Sequence, residues 1–367
     1  MITKKNISVL GGGCAGYSLV KQISKINKVK IDFYLGSNIN KNNFWGFWKF
    51  NDFDFPTELL SGKWHKWKII TNQCESIFES IDHPYCLISR DKWINHCKDE
   101  FNKSNINFHN NDVFEEGGVL KDDNGKKISS DLIFDSRSLR INERTYVQHF
   151  KGFVIESDKE CFDESTAILM DFRCDQSKGI QFIYLLPFSK KIALVEPTVY
   201  SFDIKADSFY FDSMKKYLKN NYGLDNFKLI SEEKGAIPLS FINNENTNNS
   251  INIGIRGLAN RQSSGYTFYF IQQQVNKIYL DLSKNKKPSN TEIHSSLINF
   301  LDKIFLDVLK TNPARASEIF DAFGKSFNGD EMAFFMSSKI KYKSLLRMIF
   351  NLPFKIFMNS FLRCFFK

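Results

Sequence analysis

The order of apolar and polar residues divides this chain into recognisable elements. Residues 6–10 form a short apolar run that ends in glycines. Residues 15–26 place Leu19, Val20, Ile23 and Ile26 on one side of a helix, and 29–35 form a second apolar run. Together they predict a β-turn-α-β unit at the start of the chain. Residues 41–80 are rich in aromatics, with Trp45, Trp48, Trp64 and Trp67, and read as irregular. A strand is predicted at 85–88, a helix at 91–101 and further strands at 106–108 and 132–134. From about 145 to 239 the runs FVI, AILMDF, FIYLLPF and IALVEPTVY predict an antiparallel sheet, with a helix over 207–220 inside it. Residues 243–250 (NNENTNNS) read as a polar loop, 251–255 as a strand returning to the first domain, 269–282 as an amphipathic helix and 283–290 (SKNKKPSN) as a linker. The remainder reads as mainly helical.

This succession gives an α/β chain with a nucleotide-binding domain in two pieces, 1–144 and 246–282. An antiparallel-sheet substrate domain at 145–245 lies between them, and a helical region follows at 283–367. Composition agrees with a folded chain. Of 367 residues, 42% are apolar and 25% charged, which excludes a disordered protein. The 37 phenylalanines suit a large core or an apolar ligand tunnel. The seven cysteines contain no C-x-x-C pair, and the six histidines show no metal spacing, so neither a disulfide framework nor a metal site is indicated. The first apolar run leads straight into glycines without a cleavage site, and the expected location is cytoplasmic.

The net charge of +9 is unevenly placed. From Met332 onward there is no Asp or Glu, while Lys339, Lys341, Lys343, Arg347, Lys355, Arg363 and Lys367 are basic. No nucleic-acid-binding motif accompanies this patch, so nucleic acid is not expected as a partner. Arg347, Asn351, Lys355, Asn359 and Arg363 recur every four residues with Leu345, Ile349, Leu352, Ile356 and Phe361 between them, an amphipathic helix bent at Pro353. Two readings are open for it: a surface helix docked on its own domain, or attachment at the inner face of the cell membrane.

Gly11, Gly13 and Gly16 satisfy G-x-G-x-x-G between a strand and a helix. In that context the loop, with Cys14 and Ala15, is expected to cradle a pyrophosphate at the helix N-terminus. The acid that usually ends the second strand and binds a ribose is missing, because Leu35 stands there and Asp32 falls too early. Arg90, after the YCLIS run, and Asp135 with Arg137, after the LIFD run, are candidates for the same site; a surface arginine and a turn cap are the bland readings. Asp171 and Glu196 fall on apolar runs that look buried. Taken alone, Glu196 is more often a solvated strand-end carboxylate, and Asp171 with Arg173 fits a structural ion pair as well as a site.

Several motifs in this order resemble the bacterial lycopene β-cyclase family: GGGCAG, WGFW, FDSRS, QHFKGF, ILMDFR, FIYLLPF, ALVEPTVYS, EKGAIPLS, SSGYTF and FLDKIFLDVL. The resemblance covers nearly the whole chain. It implies a Rossmann-like FAD-binding domain of the aromatic-hydroxylase type. It also implies a non-redox isomerisation that closes the linear ends of lycopene into β-ionone rings and requires reduced FAD, with NAD(P)H as an indirect reductant. On this resemblance Glu196 is the essential acid, Asp171 and Arg173 belong to the catalytic set, and Ser264, Gly265 and Tyr266, with Gly254 on the returning segment, lie at the flavin. The chain departs from the family at Leu35, at Asn42, Asn43, Phe44 and Trp45, and at Leu258 to Gln262, all at expected cofactor contacts. Two other readings stay open: a flavin-dependent monooxygenase or other oxidoreductase on an apolar substrate, and a non-catalytic carotenoid- or lipid-binding paralogue.

The chemistry asks for such a site. A hydrocarbon such as lycopene can be gripped only by shape and apolar contact. A carboxylic acid buried among apolar side chains stays protonated near neutral pH and can protonate an alkene.

Overall fold

The computed structural model describes residues 5–37, 43–52, 55–139, 141–240, 250–288 and 292–366. Asn42, residues 243–249 of the polar loop, the linker end at 289–290 and Lys367 lie outside them. The first apolar runs form the expected unit: strand Lys5–Leu10, helix Cys14–Ile23 and strand Val29–Tyr34. A five-stranded sheet grows around it in the order Ser250–Asn252, Leu132–Asp135, Lys5–Leu10, Val29–Tyr34, Ile106–His109, and every neighbouring pair is parallel. The segment after the polar loop therefore does return to the first sheet, although its strand ends at Asn252, just before Gly254 turns the chain with φ +65°.

The second sheet has seven strands, ordered Phe227–Pro238, Val147–Ser157, Ile192–Ser201, Ile180–Pro187, Thr166–Asp171, Lys66–Ile70, Glu75–Glu79. It corrects two expectations. Residues 41–80 are not irregular: they hold the strands Phe44–Trp48, Leu60–Trp64, Lys66–Ile70 and Glu75–Glu79. The last two belong to the large sheet, and Thr166–Asp171 pairs with Lys66–Ile70 in parallel, so the sheet is not wholly antiparallel and draws two strands from before residue 145. Trp64, Trp67 and Phe78 are buried, while Lys66, Glu75, Ile77 and Glu79 are exposed, so the two strands of the large sheet cover one face and leave the other to solvent.

One face of the large sheet carries the helix Asp207–Tyr222 over a separate core of Phe153, Ile155, Ile168, Ile183, Leu185, Ala193 and Val195. The opposite face looks toward the first domain and the C-terminal helices. Those helices are Ser296–Thr311, Ala316–Gly324, Gly329–Met336, Tyr342–Asn351 and Phe354–Phe365. The predicted bend at Pro353 is a break between the last two.

A buried ion pair fixes this helical layer to the rest. Arg261 donates to both oxygens of Asp302 at 2.9 and 2.6 Å and to the Phe335 carbonyl at 2.8 Å, and the Ser263 hydroxyl completes the Asp302 shell at 2.8 Å. Both charges are essentially without solvent, so each depends on the other. Asp302→Ala, which leaves the guanidinium buried and unpaired, is expected to lower stability by about 3–5 kcal/mol. Replacing both partners by apolar residues of similar volume should cost much less; denaturant titration of the single and double variants measures the difference.

Candidate active site

The strand Ile192–Ser201 is buried on both faces, and its alternation decides what each side chain does. Ala193 and Val195 pack under the helix Asp207–Tyr222, whereas Leu194, Glu196 and Tyr200 face a cavity on the other side. The cavity measures about 1120 Å³. Its floor is the large sheet, with Gln148, Phe150, Phe182, Tyr184, Glu233 and Ile237. Its roof is helical and apolar, with Phe300, Leu301, Ile304, Phe305, Phe320, Phe323, Met348, Phe357 and Phe361. At one end it reaches the glycine loop, Gly11 to Ala15.

Glu196 is 8% exposed, and only the Thr198 hydroxyl, 2.8 Å from Oε1, donates to it. Burial pushes its carboxyl up to about 8, with the Thr198 bond working in the opposite sense. Tyr184 lies opposite Glu196 on the neighbouring strand, and its hydroxyl is 2.9 Å from that of Tyr85. Both tyrosines also line the cavity, and burial raises both phenols.

A second buried carboxylate, which the sequence reading missed, faces the same cavity. Glu233 is 6% exposed and accepts a bond of 2.8 Å from the Phe44 backbone N–H. Burial and then the charge of Glu196 raise its carboxyl well above the usual glutamate range. In sequence it sits in SEEKG, where two adjacent glutamates read as a solvated edge. The one available signal is its parity with Gly235 and Ile237, which line the cavity with it.

Asp171 and Arg173 are not brought to this cavity. Asp171 is fully buried on the other face, where it accepts 2.6 Å bonds from Tyr217 of the helix Asp207–Tyr222 and from Arg173. A β-bulge is the reason. Ile168 pairs with Leu185 and Asp171 with Ile183, so the strand gains a residue between them and Asp171 lands on the same face as Ile168. The pair is an ion-pair staple between sheet and helix, as the bland reading had it. His149 is likewise enclosed on that side, bonded to Tyr210 and Ser201.

The nucleotide end assembles most of the expected residues. Gly11, Gly13, Cys14, Ala15, Arg90, Gly254, Ser264, Gly265 and Tyr266 all line it. Gly11 has φ +105°, a backbone open to glycine. The helix Cys14–Ile23 begins with no side-chain cap and no acid in its first turn, leaving its N–H groups free for an anion. Arg90 donates to the Gly12 carbonyl at 3.0 Å, which fixes it beside the loop. Gly16 does not touch the cavity; a side chain there would collide with the Gly11 carbonyl, so it serves helix–strand packing. Asp135 is buried away from the cavity and holds two arginines that do line it, Arg137 at 2.7 Å and Arg256 at 3.0 Å. Its part is positioning. Leu35 lines the cavity as the departure implied, while Asp32 is occupied by Asn107 and His109. Asp112, bonded to Ser37, brings a carboxylate to the stretch that Leu35 leaves apolar. Two buried polar atoms of residues lining this cavity, Gln148 Oε1 and Ser264 Oγ, have no hydrogen-bond partner among the described residues. A polar ligand such as an isoalloxazine or a pyrophosphate fits a cradle of that make-up.

The family described as "Lycopene cyclase protein" matches residues 6–362 of the chain. Solved structures match over almost their full length at low identity. A geranylgeranyl bacteriochlorophyll reductase-like protein from Thermoplasma acidophilum has a TM-score of 0.62 at 12% identity, covering 97% of this chain and 98% of that one. A flavoprotein/dehydrogenase from Cytophaga hutchinsonii has a TM-score of 0.55 at 13% identity, over 98% and 99%. A flavin-dependent halogenase from Xanthomonas campestris has a TM-score of 0.53 at 8% identity, over 99% and 95%. These likenesses establish the fold. No curated protein matches the sequence.

The buried carboxyl gives the site a pH signature. An unfolded glutamate releases its proton near 4.5, whereas folded Glu196 holds it to about 8. Between these values the folded state binds the extra proton, so raising the pH costs stability until about 8 is passed. Glu196→Gln, neutral throughout, is therefore expected to gain stability relative to the parent between pH 5 and pH 8, by on the order of 4 kcal/mol over the range. Thermal melts of both proteins across that range measure it.

Proposed function

The chain belongs to the lycopene cyclase family, and we propose that it closes the linear ends of lycopene into β-ionone rings by proton addition from Glu196. The observation that carries this reading is a carboxyl buried in a largely apolar chamber that runs on to a nucleotide cradle. Protonated Glu196 gives its proton to the terminal double bond of the substrate. The neighbouring alkene attacks the resulting cation, and loss of a ring proton leaves the cyclic product. The aromatic roof excludes water that would capture the cation. Phe182, Tyr184 and Phe150 line the chamber, and aromatic rings favour positive charge nearby.

The cradle fits FAD. Gly11 to Ala15 and the helix behind them would take the pyrophosphate, Asp112 the ribose in place of the acid missing at Leu35, and Ser264 to Tyr266 the ring system. Reduced FAD, when bound, would supply negative charge beside the developing cation. NAD(P)H would serve only as an indirect source of that reduction.

The substrate dissolves in lipid, and the roof helices suit a membrane surface. The last two of them expose Leu346, Phe350, Phe354, Met358, Leu362, Phe365 and Phe366, with Phe350 84% exposed. Ile349, Phe354 and Met358 also line the cavity, so its apolar mouth coincides with this exposed face. Lys339, Arg347 and Arg363 are engaged by Asp52, Glu331 and Asp307 on the body of the protein, while Lys343 and Lys355 are exposed on the two helices. The helix is thus docked on its own domain and still offers an apolar, basic face. Among the described residues no helix is long and apolar enough to cross a membrane.

Pigments from lycopene-producing bacterial cells expressing the protein test the activity. β-Carotene or γ-carotene is expected from the parent, and a loss of about 10²-fold or more from Glu196→Gln. Lycopene left unchanged by well-expressed parent would refute the reading. For the membrane, flotation with anionic vesicles should recover the parent, and Phe350→Ser with Phe354→Ser should release most of it. Equal flotation of both would exclude this face as the contact.

A further inference from the structure

The cyclisation removes a proton as well as adding one, and Glu196 accounts only for the addition. The large sheet places a partner for it. Glu233 lies opposite Gly152 on one neighbouring strand. On the other side the flanking pairs Phe153–Val195 and Phe150–Thr198 put Gly152 level with Glu196, and Glu196 is opposite Tyr184. Glu233, Gly152, Glu196 and Tyr184 thus form one row across four strands, on the face that looks into the cavity. Gly152 leaves a gap in the middle of that row. A Cβ there would stand 2.8 Å from Glu233 Cγ and 3.0 Å from its Oε1 and from Leu194, so the glutamate already occupies the space a side chain would take. This explains the glycine of the QHFKGF motif, which nothing in the acid mechanism requires.

We propose that Glu233 is the base that removes the ring proton, and that it works with Glu196 as a pair across Gly152. The proposal rests on the cyclase reading above. The two carboxyls differ in their donors. Glu233 accepts from a backbone N–H, which stabilises a carboxylate, whereas Glu196 has only a hydroxyl. Burial raises both carboxyls and the charge of Glu196 raises Glu233 further, so the two do not ionise together.

The step balances without an oxidant or reductant. The O–H bond of Glu196 breaks as a C–H bond forms on the terminal alkene, leaving a tertiary cation. The electron pair of the inner alkene forms the ring C–C bond and moves the cation into the ring. The C–H bond at the ring carbon bearing the chain then breaks, its electron pair becomes the ring double bond, and its proton goes to Glu233. Glu196 is now the carboxylate and Glu233 the acid. Return of the proton from Glu233 to Glu196 restores the site with no net uptake or release.

A base fixed at one place also sets which proton leaves. The same ring cation can lose a proton from the adjacent ring methylene or from the methyl group, giving ε-type or exocyclic rings.

The test uses the purified full-length protein with added FAD and reductant, and lycopene in liposomes, comparing parent, Glu196→Gln, Glu233→Gln and Glu233→Asp. Bound flavin and melting temperature are measured for each. Glu233→Gln is expected to form β-rings about 10²-fold more slowly, with ε-type or exocyclic rings appearing in the residue. Glu233→Asp should restore β-rings as the main product at an intermediate rate. Should Glu233→Gln not fold, a Glu233→Asp rate reduced at least threefold, with mixed rings, carries the same conclusion. A β-ring rate within threefold of the parent in a folded Glu233 variant overturns the proposal, and so does a slow variant whose residual product is entirely β. Ring products absent from the parent itself would instead bring down the cyclase reading, and this proposal with it.

Discussion

Two carboxyls held in an apolar chamber are the constraint around which the remaining structure is arranged. Each would cost several kcal/mol to bury as an anion, and the fold keeps them there by giving each one donor and by enclosing both between sheet and helices. Rigidity matters on the proposed reading, in which the substrate is a hydrocarbon with no polar handle, located by shape alone, so that the acid must be located by the protein. A strand with both neighbours in place, Ile192–Ser201 between Val147–Ser157 and Ile180–Pro187, is a firmer support than a loop.

The roof has the opposite task. It must be apolar on both sides, toward the cavity and toward the exposed face, and a helical layer of that composition needs something other than hydrophobicity to fix its position. The Arg261–Asp302 pair supplies it. Arg261 comes from the segment just before Ser264 and Tyr266, Asp302 from the first roof helix, and the Phe335 carbonyl from the third. One buried guanidinium therefore registers the nucleotide end of the cavity against its apolar end. Arg261 falls within Leu258 to Gln262, a stretch where the family resemblance implied a departure at the cofactor contacts. In this protein that departure is engaged in joining the two layers.

Much of this arrangement was legible in the sequence. The glycine loop, the strand–helix–strand start, the later strands and the break at Pro353 all rest on local signals, and the structure has them where the pattern put them. Glu196 stands out through the family resemblance; taken alone it reads as a solvated strand-end carboxylate. What escaped depended on pairing. Asp171 looked equivalent to Glu196, an acid at the end of an apolar strand, yet the bulge after Ile168 turns it to the far face, where Tyr217 and Arg173 receive it. Glu233 looked like a surface residue, since Phe227–Pro238 is the edge strand and much of it is exposed. Only the register with Gly152 shows that it turns inward. The strands within 60–79 escaped because they are short and crowded with aromatics, although Trp67 and Phe78 are buried between exposed or half-buried neighbours.

The contrast between Asp171 and Glu196 shows what makes a buried acid chemically useful. Asp171 accepts from a guanidinium, a phenol and a backbone N–H, so its negative charge is matched on every side. A carboxylate so bonded is a strut between sheet and helix. Glu196 has one hydroxyl, no cation bonded to it, and an apolar cavity in front of it. Burial holds its proton, because the anion would be poorly solvated, and on the proposed reading that proton passes to a carbon of the substrate. What separates the two acids is burial with and without compensation, and in this sheet that difference is set by which face a strand presents after a single inserted residue.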